Sequence, residues 1–307
     1  MFDVPVLFLI FNRHQESIEV FKRIKEVKPK FLYISGDGPR DKVEKEKIET
    51  IRKDILSQID WECEIKTLFR ENNLGCKRAV NSAINWFFDN EEQGIILEDD
   101  CLPDISFFHF CSIMLNKYAL DNRIMMVSGN NNLGLYKNSD SYLFSRIGSI
   151  WGWATWRRAW ELNKDGFKYW DQIRESHYLF QLFKSKLQAI FRTNVFNKTN
   201  EGEINTWDYT WTYNRIVNNG LSIVPHKNLI TNIGFGDEST HTRYISFDNS
   251  YLQRYEFNNN SINHPEKMII DFNYDNRVFK EFTMGGNLNM MKLIIKFYLF
   301  RFFKLKL

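Results

Sequence analysis

The sequence predicts an α/β fold whose mostly parallel, doubly wound sheet carries helices on both faces. Two short runs of consecutive apolar residues, 4–11 and 94–97, are typical of strands that are buried on both faces. Between them strand and helix patterns alternate, which is the order that builds parallel sheets. A chain of 307 residues with 43% hydrophobic residues is long enough to bury such a core.

The predicted elements follow one another with short connections. Apolar residues at 18, 21, 24 and 27 have helical spacing, and the Gly- and Pro-containing loop at 35–39 ends the second strand. No G-x-G-x-x-G motif follows the first strand, so a dinucleotide site is not expected. The predicted elements are strands at 4–11, 31–34, 63–69, 94–97, 123–128 and 221–225 and helices at 17–27, 41–56, 76–88 and 157–162.

The strand at 94–97 runs directly into three consecutive acids, Glu98, Asp99 and Asp100. Adjacent carboxylates repel one another, so a cation or a metal-bound phosphate is expected to hold them together. The alternative is a solvated acidic turn. The sequence therefore indicates a metal or phosphate site at the end of this strand.

Further polar residues fall at the carboxyl ends of neighbouring predicted elements. Asn12 and Arg13 follow the first strand, Asp37 follows the second, and Lys77 with Arg78 opens the third helix. The carboxyl ends of parallel strands meet at one edge of a sheet, where α/β proteins bind their ligands. Taken singly, Arg13 could be a surface residue and Asp37 a turn residue. Together the set favours binding of a nucleoside diphosphate, with cations for the phosphates.

Four segments carry a resemblance to a known family. They are PVLFLIFNR (5–13), FLYISGDG (31–38), NNLGCKRAVNSAI (72–84) and GIILEDDCLPDISFFHF (94–110). Their order resembles the nucleotide-binding half of the GT-A glycosyltransferases, closest to the N-acetylglucosaminyltransferase I type and similar to bacterial polysaccharide and lipopolysaccharide sugar transferases. The resemblance covers residues 3–112 and continues more loosely to 242. It implies a donor half at 1–112 and an acceptor and catalytic half of the same domain at 113–285, and the composition of residues 286–307 sets them apart as a basic aromatic tail.

The resemblance implies a role for each donor-site residue. Asp100 is similar to the carboxylate that binds Mn²⁺ (or Mg²⁺) on the donor diphosphate, while Glu98 and Asp99 resemble the acids facing the sugar and the ribose. Asp37 resembles the acid that reads the uracil, and Arg13 the arginine that reaches the phosphates. Lys77 and Arg78 stand where the family places a basic residue near the donor.

The second half of the chain is expected to supply the base and the acceptor site. An inverting transferase needs one carboxylate to take the proton of the acceptor hydroxyl. The segment at 207–211 resembles the family's base segment and makes Asp208 the expected base, although Tyr209 stands where the family has a second acid. Asp208 could instead be an acid that complements the helix dipole.

Three tryptophans and one histidine complete the predicted site. Gly148 and Gly152 flank a Trp cluster that resembles the family's Gly-Trp segment under the acceptor site, which implies that one or two of Trp151, Trp153 and Trp156 contact the saccharide; packing in the core is the alternative. His241 ends a Gly-rich loop and resembles an added metal or phosphate contact in related transferases. The alternative for His241 is simple exposure to solvent.

The tail carries five basic residues and no acids between 292 and 307, among many Leu, Ile and Phe. Basic and aromatic tails suit an anionic membrane surface, where lipid-linked acceptors lie. The alternative is a helix that packs on the domain or on a second subunit. Contact with a membrane through 290–307 is therefore a hypothesis.

Composition excludes several classes of protein. The net charge is +3, from 41 basic and 38 acidic residues, and no basic block stands out in the first 280 residues, so nucleic acid is not an expected partner. Four cysteines without C-x-x-C spacing favour a reduced chain. No signal peptide is recognised, and no apolar run reaches the roughly 20 residues of a membrane span. We therefore expect a cytoplasmic protein, peripheral on the inner face of the membrane if the tail binds there.

The resulting prediction is a metal-dependent, inverting glycosyltransferase. It would move a sugar from a UDP-sugar to a glycan or lipid-linked saccharide in cell-surface polysaccharide synthesis. One alternative is a sugar-nucleotide nucleotidyltransferase, which would carry a Gly-rich activating loop where Phe11, Asn12, Arg13 and His14 stand. The other is a non-catalytic nucleotide- or carbohydrate-binding protein.

Overall fold

A computed structural model describes residues 1–234 and 253–284 of the chain. In this part of the chain an eight-stranded central sheet has the order β3-β2-β1-β4-β8-β6-β9-β7, and β5 pairs with β10 in a two-stranded antiparallel sheet. The strands are β1 Val6–Ile10, β2 Phe31–Gly36, β3 Glu64–Phe69, β4 Gln93–Glu98, β5 Cys101–Pro103, β6 Ile124–Ser128, β7 Tyr142–Ser145, β8 Trp153–Trp156, β9 Leu221–Pro225 and β10 Ile230–Asn232.

Helices connect these strands. They are α1 His14–Val27, α2 Lys42–Ser57, α3 Cys76–Asn90, α4 Ile105–Lys117, α5 Arg157–Trp160, α6 Trp170–Glu175, α7 Tyr178–Leu182, α8 Lys186–Asn200, α9 Asp208–Val217 and α10 Phe272–Arg277. A 3₁₀ turn at Glu161–Asp165 follows α5, and a π-helical turn at Val278–Thr283 follows α10. Asp41 and Asp104 cap α2 and α4, because each side chain accepts a hydrogen bond from a backbone N–H in the first turn.

The predicted α/β architecture with a mostly parallel sheet is confirmed. Strand β1 pairs in parallel with β2 and β4, β2 with β3, and β6 with β9, whereas β8 and β7 run antiparallel to their neighbours. The strand and helix predicted between residues 4 and 27 and the strand at 221–225 match β1, α1 and β9 to within a few residues.

Alternation along the strands places helices on both faces of the sheet. Val6, Phe8 and Ile10 of β1 pack in one core cluster with α1, α2 and α4, while Leu7 and Leu9 point into a second cluster with α3, α5 and α9. Both faces of β1 are therefore buried, which is why its sequence is a continuous apolar run rather than an alternating one.

Two smaller clusters stabilise the second half of the chain. One joins α6, α7, α8 and α9, and the other packs α10 and the turn after it against β7 and β9. All four cysteines have free thiols. Within residues 1–234 and 253–284, no helix has both the length and the apolar character that crossing a membrane requires.

Candidate active site

The acidic triplet and Arg13 meet at the carboxyl edge of the sheet. Strands β1 and β4 are parallel neighbours, so their ends bring Arg13, at the start of α1, next to Asp99 and Asp100. The Phe11 N–H donates to Asp99 Oδ2 at 3.0 Å. Arg13 Nη1 donates to Asp100 Oδ2 and lies 3.6 Å from Asp99 Oδ1. One guanidinium group therefore faces two of the three carboxylates.

Burial and mutual repulsion disfavour the charged forms of these acids. The pKa of Asp99 is raised to about 7, mainly by burial and then by Asp100, while Arg13 opposes the shift. Burial, followed by Asp100, Asp99 and Asp208, also raises the pKa of Glu98. Arg13 alone does not neutralise the triplet, so the cluster is suited to bind a further cation.

The two-stranded sheet of β5 and β10 borders the acidic triplet on its other side. Strand β5 starts at Cys101, directly after the acids, and pairs with β10. The Ile233 N–H, just beyond β10, donates to the Asp100 carbonyl oxygen at 2.8 Å. The next residue, Gly234, lies so close that a Cβ there would be 2.4 Å from Asp100 Oδ2 and 2.9 Å from Arg13 Nη1. Any side chain at position 234 would have to displace the Asp100–Arg13 pair.

The acids suit an ion that is shared with a ligand. In the described part of the chain, no group of three or more His, Cys, Asp or Glu side chains could hold a metal on its own. Magnesium and similar hard cations are commonly held by one or two carboxylates together with phosphate oxygens. Asp100 and its neighbours fit that arrangement. The second predicted metal ligand, His241, lies outside the described residues.

Asn12 belongs to a hydrogen-bonded group at the end of β1. Its Nδ2 donates to Glu44 Oε1 at 2.9 Å, and Arg40 donates through Nε to both oxygens of Glu44 at 3.1 and 3.0 Å. Hydrogen bonds from Arg40 hold the pKa of Glu44 below its ordinary value. Arg40 Cζ also lies 5.3 Å from the centroid of the Phe11 ring. Sequence reasoning missed Arg40 and Glu44, which stand around the start of α2 and look like ordinary surface charges in the sequence.

Asp37 orders the loop that precedes α3. Its Oδ1 accepts from the Gly38 and Leu74 N–H groups, each at 2.9 Å, and its Oδ2 accepts from the Gly75 N–H at 3.0 Å. Gly75 has a φ of +77°, a conformation that glycine adopts without strain. The structure thus places Asp37 at the predicted edge and gives it a structural role. Its contact with a base stays a prediction.

The first turn of α3 lies near the acidic triplet and Asp208, and we call the space between them the acidic crevice. Desolvation by its surroundings and then the charges of Glu98, Asp208, Asp37 and Asp100 raise the pKa of the Cys76 thiol to about 12, although the residue as a whole is exposed. Cys76 was not predicted as a site residue, because a single cysteine at a helix start carries no recognisable pattern.

Lys77 and Arg78 follow Cys76 on this turn. Lys77 is half-buried and Arg78 is exposed. Both residues lie in the first turn of α3, where the sequence predicted a helix start. Their contact with a donor stays a prediction.

Asp208 begins α9 and faces the acidic triplet. It is close enough to Glu98 that its charge raises the pKa of Glu98. Burial raises the pKa of Asp208 itself, whereas a hydrogen bond donated by Thr206 Oγ1 and the backbone N–H groups of the helix start favour its anion. The structure therefore brings Asp208 and Glu98 together although they lie in different halves of the sequence.

A cluster of four indoles packs beneath Asp208. The Trp153 ring lies 5.8 Å from Trp207 in a stacked arrangement and 5.7 Å from Trp211, and Trp160 lies 5.2 Å from Trp211. All four rings are almost fully buried. Since Trp207 and Trp211 flank Asp208 in the sequence, this packing fixes the start of α9 against the sheet.

The structure corrects the expected role of two of the three acceptor tryptophans. Trp153 is 0% exposed and Trp156 is 3% exposed, because β8 pairs between β4 and β6 in the middle of the sheet. Trp156 Nε1 donates to the Leu115 carbonyl oxygen at 3.2 Å, and Arg158 covers its ring. A saccharide needs an exposed ring face to stack on, which these two rings lack. Trp151 is half-buried and keeps its predicted role as a hypothesis.

Comparisons with known proteins give distant likenesses only. No family model matches the sequence, and no curated protein matches it. The mannosyltransferase PcManGT from Pyrobaculum calidifontis, solved in complex with GDP-Man and Mn²⁺, is 14% identical with a TM-score of 0.37, over 53% of this chain and 47% of its own. This chain thus covers about half of that protein.

Two further solved structures are similar over more of their length. A UDP-glucose pyrophosphorylase in its apo form is 8% identical with a TM-score of 0.38, over 74% of this chain and 93% of its own. The 4-diphosphocytidyl-2C-methyl-D-erythritol synthase from Anaerococcus prevotii is 10% identical with a TM-score of 0.35, over 72% and 86%. At these scores the likenesses carry no argument about activity, so the function has to be argued from the site.

Proposed function

We propose that this protein is a GT-A-type glycosyltransferase that moves a sugar from a nucleoside diphosphate sugar, with UDP as the expected nucleotide, to a saccharide hydroxyl. The observation that carries the proposal is the meeting of Asp208 with the Glu98–Asp100 acids in one crevice. A transferase needs a cation site for the leaving diphosphate and a separate carboxylate for the attacking hydroxyl. The Glu98–Asp100 acids would serve as the first and Asp208 as the second.

The acids at the end of β4 form the donor end of the proposed site. Asp100 would hold a divalent ion, Mn²⁺ or Mg²⁺, which when bound neutralises charge on the departing diphosphate. Arg13, now paired with Asp100, would donate to the same phosphate oxygens. Glu98 and Asp99 would accept hydrogen bonds from the sugar and ribose hydroxyls.

Asp208 is the proposed base. The acceptor oxygen attacks the anomeric carbon while the bond from that carbon to the diphosphate oxygen breaks, and Asp208 takes the hydroxyl proton. Attack from the face opposite the leaving group inverts the anomeric centre. Thr206 and the N-terminus of α9 orient the carboxylate, and burial raises its pKa, which strengthens it as a base.

The acceptor is proposed to be a glycan or a lipid-linked saccharide. For the lipid-linked case, the basic tail at 290–307 would contact an anionic membrane surface; that segment lies outside the described residues. Deleting 290–307 should abolish sedimentation with anionic vesicles. Unchanged sedimentation of the shortened protein would remove this part of the proposal.

The test is a panel of UDP- and GDP-sugars assayed for Mn²⁺-dependent release of the nucleoside diphosphate, with and without saccharide acceptors. Asp208→Asn should still bind UDP with Mn²⁺ but lose transfer by about 10² to 10⁴, the usual contribution of a general base. Asp100→Ala should lose Mn²⁺-dependent binding of UDP. Asp171→Asn, at an exposed ion pair on α6, is the matched control and should match the wild type. Full transfer by Asp208→Asn would show that the base is wrongly assigned.

A further inference from the structure

Helix α8 presents two buried nitrogen donors without acceptors. Gln188 is 1% exposed and Arg192 is 6% exposed, and neither Gln188 Nε2 nor Arg192 Nε has a hydrogen-bond partner among the described residues. Residues four positions apart lie on the same face of a helix, so the two donors are neighbours. Leaving a buried donor unsatisfied costs about 1–3 kcal/mol. A ligand with acceptor oxygens would satisfy both donors on this face of α8.

The charge around these donors indicates an anion rather than a neutral group. Arg215 of α9 is 1% exposed and lies near Arg192. Burial, and then the positive charge of Arg192, lower the pKa of Arg215 to about 9. In the described part of the chain, no carboxylate lies within 4.0 Å of either guanidinium group. The positive charge is therefore not balanced by direct ion pairs, and burying charge in this way is costly.

The buried acid Asp275 is hydrogen-bonded to other donors rather than to these arginines. Asp275 interacts with both arginines over a longer distance, but its Oδ1 accepts from Ser145 Oγ at 2.5 Å and its Oδ2 from the Arg146 N–H at 3.3 Å. Arg215 Nη1 instead donates to Ser222 Oγ at 2.5 Å. Rings offer only weak compensation, since Arg192 Cζ is 5.8 Å from the Phe191 centroid and Arg215 Cζ is 5.7 Å from that of Trp211.

The location connects this group to the proposed reaction. Arg192 interacts with Asp208 and with Tyr209 at the start of α9. Asp208 therefore has an acidic neighbour, Glu98, and a cationic neighbour, Arg192. In the proposed site the acidic neighbour would face the donor, and the cationic neighbour would face the acceptor.

We propose that Gln188 and Arg192, with Arg215 behind them, form an oxyanion subsite that selects acceptors carrying a carboxylate or phosphate near the reacting hydroxyl. This inference rests on the proposed function. Arg192 would bind the anion with its planar group of donors, Gln188 would add one hydrogen bond, and Arg215 would contribute charge. The acceptor would thus be an acidic sugar or a sugar phosphate rather than a neutral saccharide.

The experiment measures binding of three monosaccharides to the full chain in the presence of UDP and Mn²⁺, using saturation-transfer NMR. Glucuronate tests the carboxylate, glucose 6-phosphate tests the phosphate, and glucose is the neutral counterpart. At least one charged sugar should bind the wild type about tenfold or more tightly than glucose, and Arg192→Gln should abolish that preference. Arg192→Lys should restore part of it, because the charge returns without the planar donors.

Two controls keep the outcomes separate. Arg174→Gln, at an exposed ion pair with Asp171 on α6, should behave as the wild type. Gln188→Ala should weaken binding of the charged sugar by a few-fold and provides the test if Arg192→Gln does not fold. Equal binding of all three sugars to the wild type, or unchanged preference in Arg192→Gln, would overturn the subsite. If the wild type shows no Mn²⁺-dependent binding of UDP, the proposed function itself is overturned.

Discussion

Replacing Gly234 by alanine would put a methyl group against the Asp100–Arg13 pair. The added Cβ would lie 2.4 Å from Asp100 Oδ2, 2.8 Å from Asp100 Cβ and 2.9 Å from Arg13 Nη1, whereas ordinary contacts of a Cβ are 3.4–4 Å. The Asp100 side chain would have to move by about 1 Å, which is comparable to the overpacking that costs 1–3 kcal/mol in well-packed cores. This movement would displace the carboxylate that we propose to hold the metal.

The expected result is a protein that folds but binds UDP and Mn²⁺ weakly. We expect the free energy of unfolding to fall by about 1–3 kcal/mol. The affinity for UDP with Mn²⁺ should fall tenfold or more, which corresponds to about 1.4 kcal/mol of binding free energy. Urea unfolding and isothermal titration calorimetry of UDP in the presence of Mn²⁺ measure the two quantities separately.

The matched control is Gly166→Ala. Gly166 has a φ of +56°, and among the described residues no atom would lie within 4 Å of an added Cβ, so alanine should cost about 1–3 kcal/mol of stability through its backbone alone. Binding of UDP should not change in this variant. If Gly234→Ala binds UDP with Mn²⁺ within twofold of the wild type, the assignment of Asp100 as the metal-holding residue is refuted.

Three other predictions concern the surroundings of the site. Trp153→Ala should lower the free energy of unfolding by about 3–5 kcal/mol, because it empties the centre of the indole cluster; a loss below 1 kcal/mol in urea unfolding would contradict the packing. Asp37→Asn should speed hydrogen exchange of the Leu74 and Gly75 amides by about tenfold, since one acceptor oxygen is lost, and unchanged exchange would show that Asp37 does not order the loop. Burial raises the pKa of Asp275 to about 6, so its stabilising contribution is complete below about pH 4 and is lost as the pH rises through 6. The wild type should therefore lose up to about 3 kcal/mol of stability from this group between pH 4 and pH 7, and Asp275→Asn should lack this part of the pH dependence; the same change of urea midpoint with pH in both proteins would contradict this.

Local patterns predicted the fold and the polar edge of the sheet. Strand β4 is a buried apolar run that ends at charged residues, and a parallel sheet brings the ends of β1, β2 and β4 together whatever the details of packing. For this reason the positions of Arg13, Asp37 and the acidic triplet could be predicted without any knowledge of long-range contacts.

The second half of the site depends on contacts between residues far apart in the chain. Trp153 would look the same in sequence whether it stacked on a sugar or packed in the core, and its burial is decided by the pairing of β8 between β4 and β6. The buried face of α8 carries the polar residues Gln188, Arg192 and Thr199. Hydrophobic periodicity in the sequence therefore does not show which face of this helix is buried. Gly234 becomes informative only once β10 is known to pair with β5.

The central claim is that sugar, rather than a nucleotidyl group, is transferred in the crevice between Asp100 and Asp208. Phosphorus NMR of the wild type with a UDP-sugar, Mn²⁺ and an acceptor panel that includes glucuronate and glucose 6-phosphate tests it most directly. Our account predicts that UDP accumulates in step with a glycosylated product of inverted anomeric configuration, and that neither forms without Mn²⁺. Formation of UTP and a sugar 1-phosphate when pyrophosphate is added, with no glycosylated product, would contradict it.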